Sequence, residues 1–147
     1  MFIKEAEFEL QREPFAQPFA FKGASFREKW NLVVRLRNVE GPWVYGLGGL
    51  AVLWSDARVF ANHGEVGGNA LMMTLLERGL GLVRGRYFAS PQAMFYEIMP
   101  QVLSYGRSVT RQEDLRPTFA LNALVALDNA AWMLWAQQED IDEFDEL

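Results

Sequence analysis

Apolar and polar positions alternate twice near the start of the chain. Phe2, Ala6, Phe8 and Leu10 run against Ile3, Glu5, Glu7 and Glu9, and Leu32, Val34 and Leu36 run against Val33, Arg35 and Arg37. A period of two predicts strands with one buried face. Asn38-Val39-Glu40-Gly41 has turn chemistry, and a third strand is expected from Trp43 to Leu47, running into Gly46, Gly48 and Gly49. Together these predict an antiparallel meander. Between the first two strands, residues 13–29 carry Pro14, Pro18 and Gly23 and are expected to form a long loop, loaded with Phe15, Phe19, Phe21 and Phe26.

The pattern then turns helical. Ser55 or Asp56 offers a helix cap, Ala70 to Val83 has helical spacing, and Ser90-Pro91 opens a further helix through Phe95, Ile98, Met99, Val102 and Leu103. Pro100 is expected to kink or divide that helix, and residues 106–116 to connect it to the next. Arg116-Pro117 then starts the most apolar stretch, Thr118 to Gln138. From Phe119 to Ala136 only Asn122, Asp128 and Asn129 are polar. At about 100° per residue, Phe119, Ala123, Ala126, Ala130 and Leu134 share one side, with Leu121, Val125, Trp132 and Trp135 across from them. A helix apolar all round must be covered all round.

Three accounts of that helix compete. It has the length of a membrane span, but Asp128 near its middle would cost about 2.5–3.5 kcal/mol there, and no basic cluster flanks it. It could be the central helix of a small α+β core. Or one side packs on the meander and the other on a further partner, because 147 residues supply little to cover both.

Composition narrows the rest. Half of the residues are hydrophobic and 14% aromatic, which excludes a disordered chain. The formal net charge is -5, but residues 139–147 hold six acids and no base. The body is thus nearly neutral and offers no basic face for nucleic acid. There are no cysteines, and Met1 to Leu10 lack a signal peptide's apolar run, so a reducing cytoplasm is the expected setting.

Candidate chemistry is sparse. Gly46-Leu47-Gly48-Gly49 loosely resembles a dinucleotide-binding turn, but the second βαβ unit is missing; strand exit and close backbone packing are the expected use of those glycines. His63 is the only histidine and cannot build a histidine metal site alone. Asp56 and Glu65 are acids without an evident partner, and Asp128 is expected to bond neighbouring backbone if buried. No nucleophile elbow or phosphate loop is present.

The helix segment Ala126 to Leu134, reading ALDNAAWML, together with the element order, resembles the N-terminal capping domain of the enolase superfamily, in its mandelate racemase and muconate lactonizing branch. Ala126, Leu127, Asp128, Ala130, Trp132 and Leu134 match that family's Ala-Leu-Asp-x-Ala-Leu-Trp-Asp-Leu, while Ala131 and Met133 depart. Gly46, Leu47 and Gly48 fit its Gly-x-Gly-Glu, with Gly49 in place of the glutamate. Trp135-Ala136-Gln137 stands where a Gly-Lys commonly follows.

The resemblance implies an α+β fold, a three-stranded meander (2–49) followed by a helical part (55–138), with 139–147 as an acidic linker towards a (β/α) barrel. It also implies that the barrel, a domain of about 200 or more residues, would hold the Mg²⁺ and the lysine or histidine base that abstracts a proton beside a substrate carboxylate. Lys4, Lys22 and Lys29 form no Lys-x-Lys pair, so no catalytic residue and no metal ligand is assigned to this chain. Its own expected contribution is a lid over the barrel mouth: Phe19, Phe21, Lys22 and Trp54 are the candidate substrate-facing residues. The barrel, a small carboxylate substrate and further copies of the chain are the expected partners, with neither nucleic acid nor membrane. An independent α+β ligand-binding or oligomerisation module is the alternative.

Overall fold

The computed structural model describes residues 1–21, 23–141, 143 and 145. Of the acidic tail, residues 142, 144, 146 and 147 lie outside the described residues, as does Lys22. The elements in order are β1 (Phe2–Ile3), β2 (Glu5–Phe21), β3 (Ala24–Arg37), β4 (Val44–Leu50), α1 (Val52–Ser55), α2 (Ala57–Val83), β5 (Arg86–Tyr87), α3 (Pro91–Thr110) and α4 (Pro117–Glu139).

The meander is present: β2, β3 and β4 form an antiparallel sheet in that order. Its inner face follows the predicted parity, with Ala6, Leu32, Val34, Leu36 and Val44 buried. The expected first strand is divided. A bend at Lys4 separates β1, which pairs with β5, and the parity resets so that Ile3 is fully buried.

Residues 13–29 are not a loop. β2 and β3 continue past the sheet as a long hairpin arm, Phe21 pairs with Ala24, and Gly23 takes a φ of 77°, which glycine adopts without Cβ strain. Pro14 and Pro18 are tolerated because β2 is an edge strand and the register shifts between Pro14 and Phe19. The arm outruns β4, whose pairing with β3 ends at Trp30–Leu50.

Helix α2 starts well before Ala70. Asp56 caps it, accepting from the amides of Arg58 (2.9 Å) and Val59 (3.4 Å), and it turns sharply at Gly64, where φ is 70° and ψ is -175°. Ser90 caps α3 through a bond from the Ala93 amide (3.1 Å), as its sequence predicts. That helix runs through Pro100 and on to Thr110, so the proline does not divide it and the expected connection is shorter. Pro100 and Tyr96, whose carbonyl has no amide to accept from at position 100, both lie on the exposed side of the helix.

Helix α4 is the centre of the core. Phe119, Ala120, Ala123, Leu124, Ala126, Leu127, Ala130, Ala131 and Leu134 are buried between β4 on one side and α2 and α3 on the other. Its apolar stretch is long enough to cross a membrane by length and composition, and half of it is buried inside the fold. The buried set holds five alanines, which bring the helix close to its neighbours. Replacing Leu124 or Leu127 by alanine would cost about 2–5 kcal/mol.

Candidate functional site

The arm and α1 meet in an aromatic cluster. Phe21 stacks on Trp54 with ring centroids 3.8 Å apart and planes 22° from parallel. Phe19 lies 6.3 Å from Phe26, and Phe26 packs at 6.0 Å on Phe60 of α2. The rings hold the arm against the helical layer at two points. Between them lies a cavity of about 280 Å³, lined by Phe15, Phe19, Phe26, Leu50 and Trp54, with Glu28, Lys29, Gly49 and Ala51 completing it.

Three of the four candidate lid residues therefore converge: Phe21 on Trp54, and Phe19 across the cavity from Trp54. Lys22 is outside the described residues. Phe60 was missed, since residues 50–68 show no clear helical period, and only the predicted cap at Asp56 hinted at a helix there.

The arm's backbone is held by a carboxylate. Beyond the end of β4, amides of β3 have no strand to pair with, and Glu65 of α2 accepts from Arg27 (3.2 and 3.1 Å) and from Glu28 (3.4 Å). The Gly64 turn brings Glu65 to that edge. Within the arm, Glu28 accepts from Arg12 (2.6 and 3.0 Å) and from the Trp30 indole (2.9 Å), and these bonds hold its carboxyl below the usual range. Asp56, fully buried, also accepts from the Arg116 amide (3.2 Å) and so joins the start of α2 to the start of α4. Asp56 and Glu65 thus have backbone partners that the sequence did not disclose. His63 is exposed.

A second feature lies on α4. Leu121, Val125 and Met133 are exposed and Trp132 is half-buried, and Tyr45 and Leu47 of β4 are exposed beside Trp132 and Met133. A shallow cavity of about 560 Å³ lies between Tyr45, Leu47, Trp132 and Met133. The side of α4 expected to lack cover is uncovered in part: Leu121 and Val125 are exposed, whereas Trp135 packs against the core. Asp128 stands in this patch, and partial burial raises its carboxyl above the ordinary value. The expected backbone bond to it is not found: among the described residues no hydrogen bond or ion pair reaches its side chain. Asn122 and Asn129 do bond backbone, donating to the edge carbonyls of Gly49 (2.8 Å) and Leu47 (2.8 Å).

Among the described residues no group of three or more His, Cys, Asp or Glu is placed to hold a metal ion.

No protein-family model and no curated protein matches the chain. Solved structures do. A mandelate racemase/muconate lactonizing enzyme-like protein from Rubrobacter xylanophilus superposes with a TM-score of 0.62 at 18% identity, over 95% of this chain and 31% of that one. A racemase from Streptomyces coelicolor with bound magnesium gives 0.62 at 18%, over 94% and 33%. The L-Ala-D/L-Glu epimerase from Bacillus subtilis gives 0.57 at 17%, over 94% and 32%. The chain spans about a third of the length of these structures. At such identities the likeness is one of fold: the chain has the α+β fold found in about a third of each of these mandelate racemase/muconate lactonizing-type structures.

Proposed function

We propose that the chain is the substrate-specificity capping domain of a Mg²⁺-dependent racemase, dehydratase or cycloisomerase that abstracts the proton next to a substrate carboxylate. The observation that carries this reading is the superposition, which takes in nearly all of this chain and only a third of each enzyme. The base and the metal belong to a (β/α) barrel supplied beyond these residues, and the 147-residue chain alone is inactive. Residues 1–138 form the cap and residues 139–147 lead towards the barrel, in a reducing, cytoplasmic setting.

Two surfaces support the reading. Phe19, Phe21 and Trp54 lie together where the arm meets α1, which supports their proposed role in a lid over a barrel mouth; Lys22 is proposed with them from the sequence alone. The exposed Leu121, Val125 and Met133 with half-buried Trp132, and Tyr45 and Leu47 beside the last two, form an apolar seat of the kind that marks an interaction surface. The barrel is its first occupant in this reading. A second copy of the chain is the other, and would make the chain an oligomerisation module.

The test is the intact mass of the native gene product, followed by its assay for Mg²⁺-dependent α-proton exchange into carboxylates in D₂O. The expected product exceeds 16.8 kDa by a barrel, or brings a barrel chain with it, and exchanges protons where the 147-residue chain does not. Exchange by the short chain alone, or a native product of 16.8 kDa with no barrel bound, overturns the reading.

A further inference from the structure

Resting on the capping reading, we propose that the cavity under the arm selects carboxylates whose far end is an uncharged ring or branched hydrocarbon. Its volume of about 280 Å³ is near the lower end of ligand pockets, about 300–1,000 Å³, and a cavity of about 150 Å³ already accepts benzene. It therefore suits one side chain of a substrate rather than a whole cofactor.

The walls decide the chemistry. Phe15, Phe19, Phe26 and Trp54 present ring faces and edges, and Leu50 an aliphatic floor. Of the two charged lining residues, Glu28 is already occupied by the Arg12 guanidinium and the Trp30 indole. Lys29 has the opposite parity to Phe26, Glu28 and Trp30 on β3 and is exposed to water. Among the described lining residues a charged tail would find no buried partner for the hydration it gives up, whereas a ring gains four aromatic neighbours. The cup is present before any ligand arrives, because the Phe21–Trp54 stack, the Phe26–Phe60 contact and the Glu65 bonds hold the arm in place.

The experiment titrates the 147-residue chain with N-acetyl-L-phenylalanine and N-acetyl-L-aspartate. Fluorescence is read as the difference between the wild type and Trp54→Phe, since the chain has five tryptophans. The phenylalanine derivative should give a saturable change, and the aspartate derivative should need at least about tenfold more. Phe19 is 53% exposed, so Phe19→Ala should leave the circular dichroism unchanged while weakening phenylalanine binding about tenfold. No saturable change, equal responses to the two compounds, or an unaltered Phe19→Ala would overturn the proposal. The two readings fail separately: proton exchange by the intact product without ring preference removes only this one, and ring binding by a chain that never meets a barrel removes only the capping reading.

Discussion

The backbone of Gly46 lies directly against that of Ala130. A methyl group added to Gly46 would stand 2.2 Å from the Ala130 amide nitrogen and 2.2 Å from the Ala126 carbonyl oxygen. These are backbone atoms of a buried helix and cannot step aside. Gly46→Ala should therefore separate α4 from β4 and cost about 3 kcal/mol or more, at the upper end of overpacking. Gly81 in α2 has open space around it, and Gly81→Ala should stabilise by about 0.5–1 kcal/mol. Urea denaturation of both variants checks the pair; equal effects would mean that the close approach does not set the helix position.

Asn122 ties three groups together. It donates to the Gly49 carbonyl and accepts from the Ala51 amide (3.1 Å) and the Ser55 hydroxyl (2.9 Å). Asn129, two turns on, makes one such bond at a more exposed position. Asn122→Ala should cost about 2–3 kcal/mol and Asn129→Ala about 1 kcal/mol or less, because stranded polar groups cost most where water cannot reach them. The same denaturation measurement distinguishes the two.

Much of this was legible in the sequence, for identifiable reasons. Leu32, Val34 and Leu36 show their buried parity because β3 is the central strand and packs on α4. Ser90-Pro91 and the all-apolar α4 were readable because capping and periodicity are local. The arm was not readable, since Pro14 and Pro18 break a central strand but not an edge strand, and edge position is set by distant pairing. Nor was the first half of α2: Gly64, Gly67 and Gly68 look like helix terminators, yet Gly64 makes a turn within the helical run and Gly68 packs on Val52. At the candidate site, the aromatic load of the arm pointed to Phe19 and Phe21. The anchors Glu65 and Phe60 became apparent only with the fold, because nothing local marks which acid will meet an orphaned strand edge.

Glu65→Gln should loosen the arm without unfolding the sheet. It weakens the charge-assisted bonds from the Arg27 and Glu28 amides, while β3 between Trp30 and Leu36 keeps its partner in β4. Amide hydrogen exchange at residues 27 and 28 should speed up at least about tenfold, with residues 32–36 unchanged. Uniform acceleration along β3 would show instead that Glu65 supports the whole sheet.

Stability should depend on pH in two opposed ways. Burial raises the Asp128 carboxyl, so the folded chain keeps a proton there that the unfolded chain has released. Stability from this group falls as pH rises through the window between the ordinary value and the raised one. Asp128→Asn should then melt higher than wild type at neutral pH, the gap closing on acidification below the ordinary carboxylate range. Glu5, Glu28 and Asp114 are held low by hydrogen bonds from Arg37, Arg12 and Arg58, and their contribution is present above the ordinary carboxylate range and lost in acid. Melting curves of wild type and Asp128→Asn across that range test the sign; a lower melting point for the variant at pH 7 would refute it.

The seat on α4 separates stability from assembly. Leu47 is 66% exposed and Met133 52% exposed, on either side of the shallow cavity beside Trp132. Surface positions away from caps and buried networks change stability by about 0.5 kcal/mol or less, so Leu47→Asp with Met133→Asp should leave the isolated chain's denaturation midpoint almost unchanged. If the barrel occupies this seat, the two carboxylates would be buried without partners in the assembly, which costs several kcal/mol at an apolar interface. Proton exchange by the intact product should then fall at least about tenfold, the equivalent of about 1.4 kcal/mol, while the short chain keeps its fold. An intact product that keeps full exchange with both substitutions would place the barrel elsewhere and leave the stripe to a second copy of the chain, which sedimentation of the variant against wild type would then reveal.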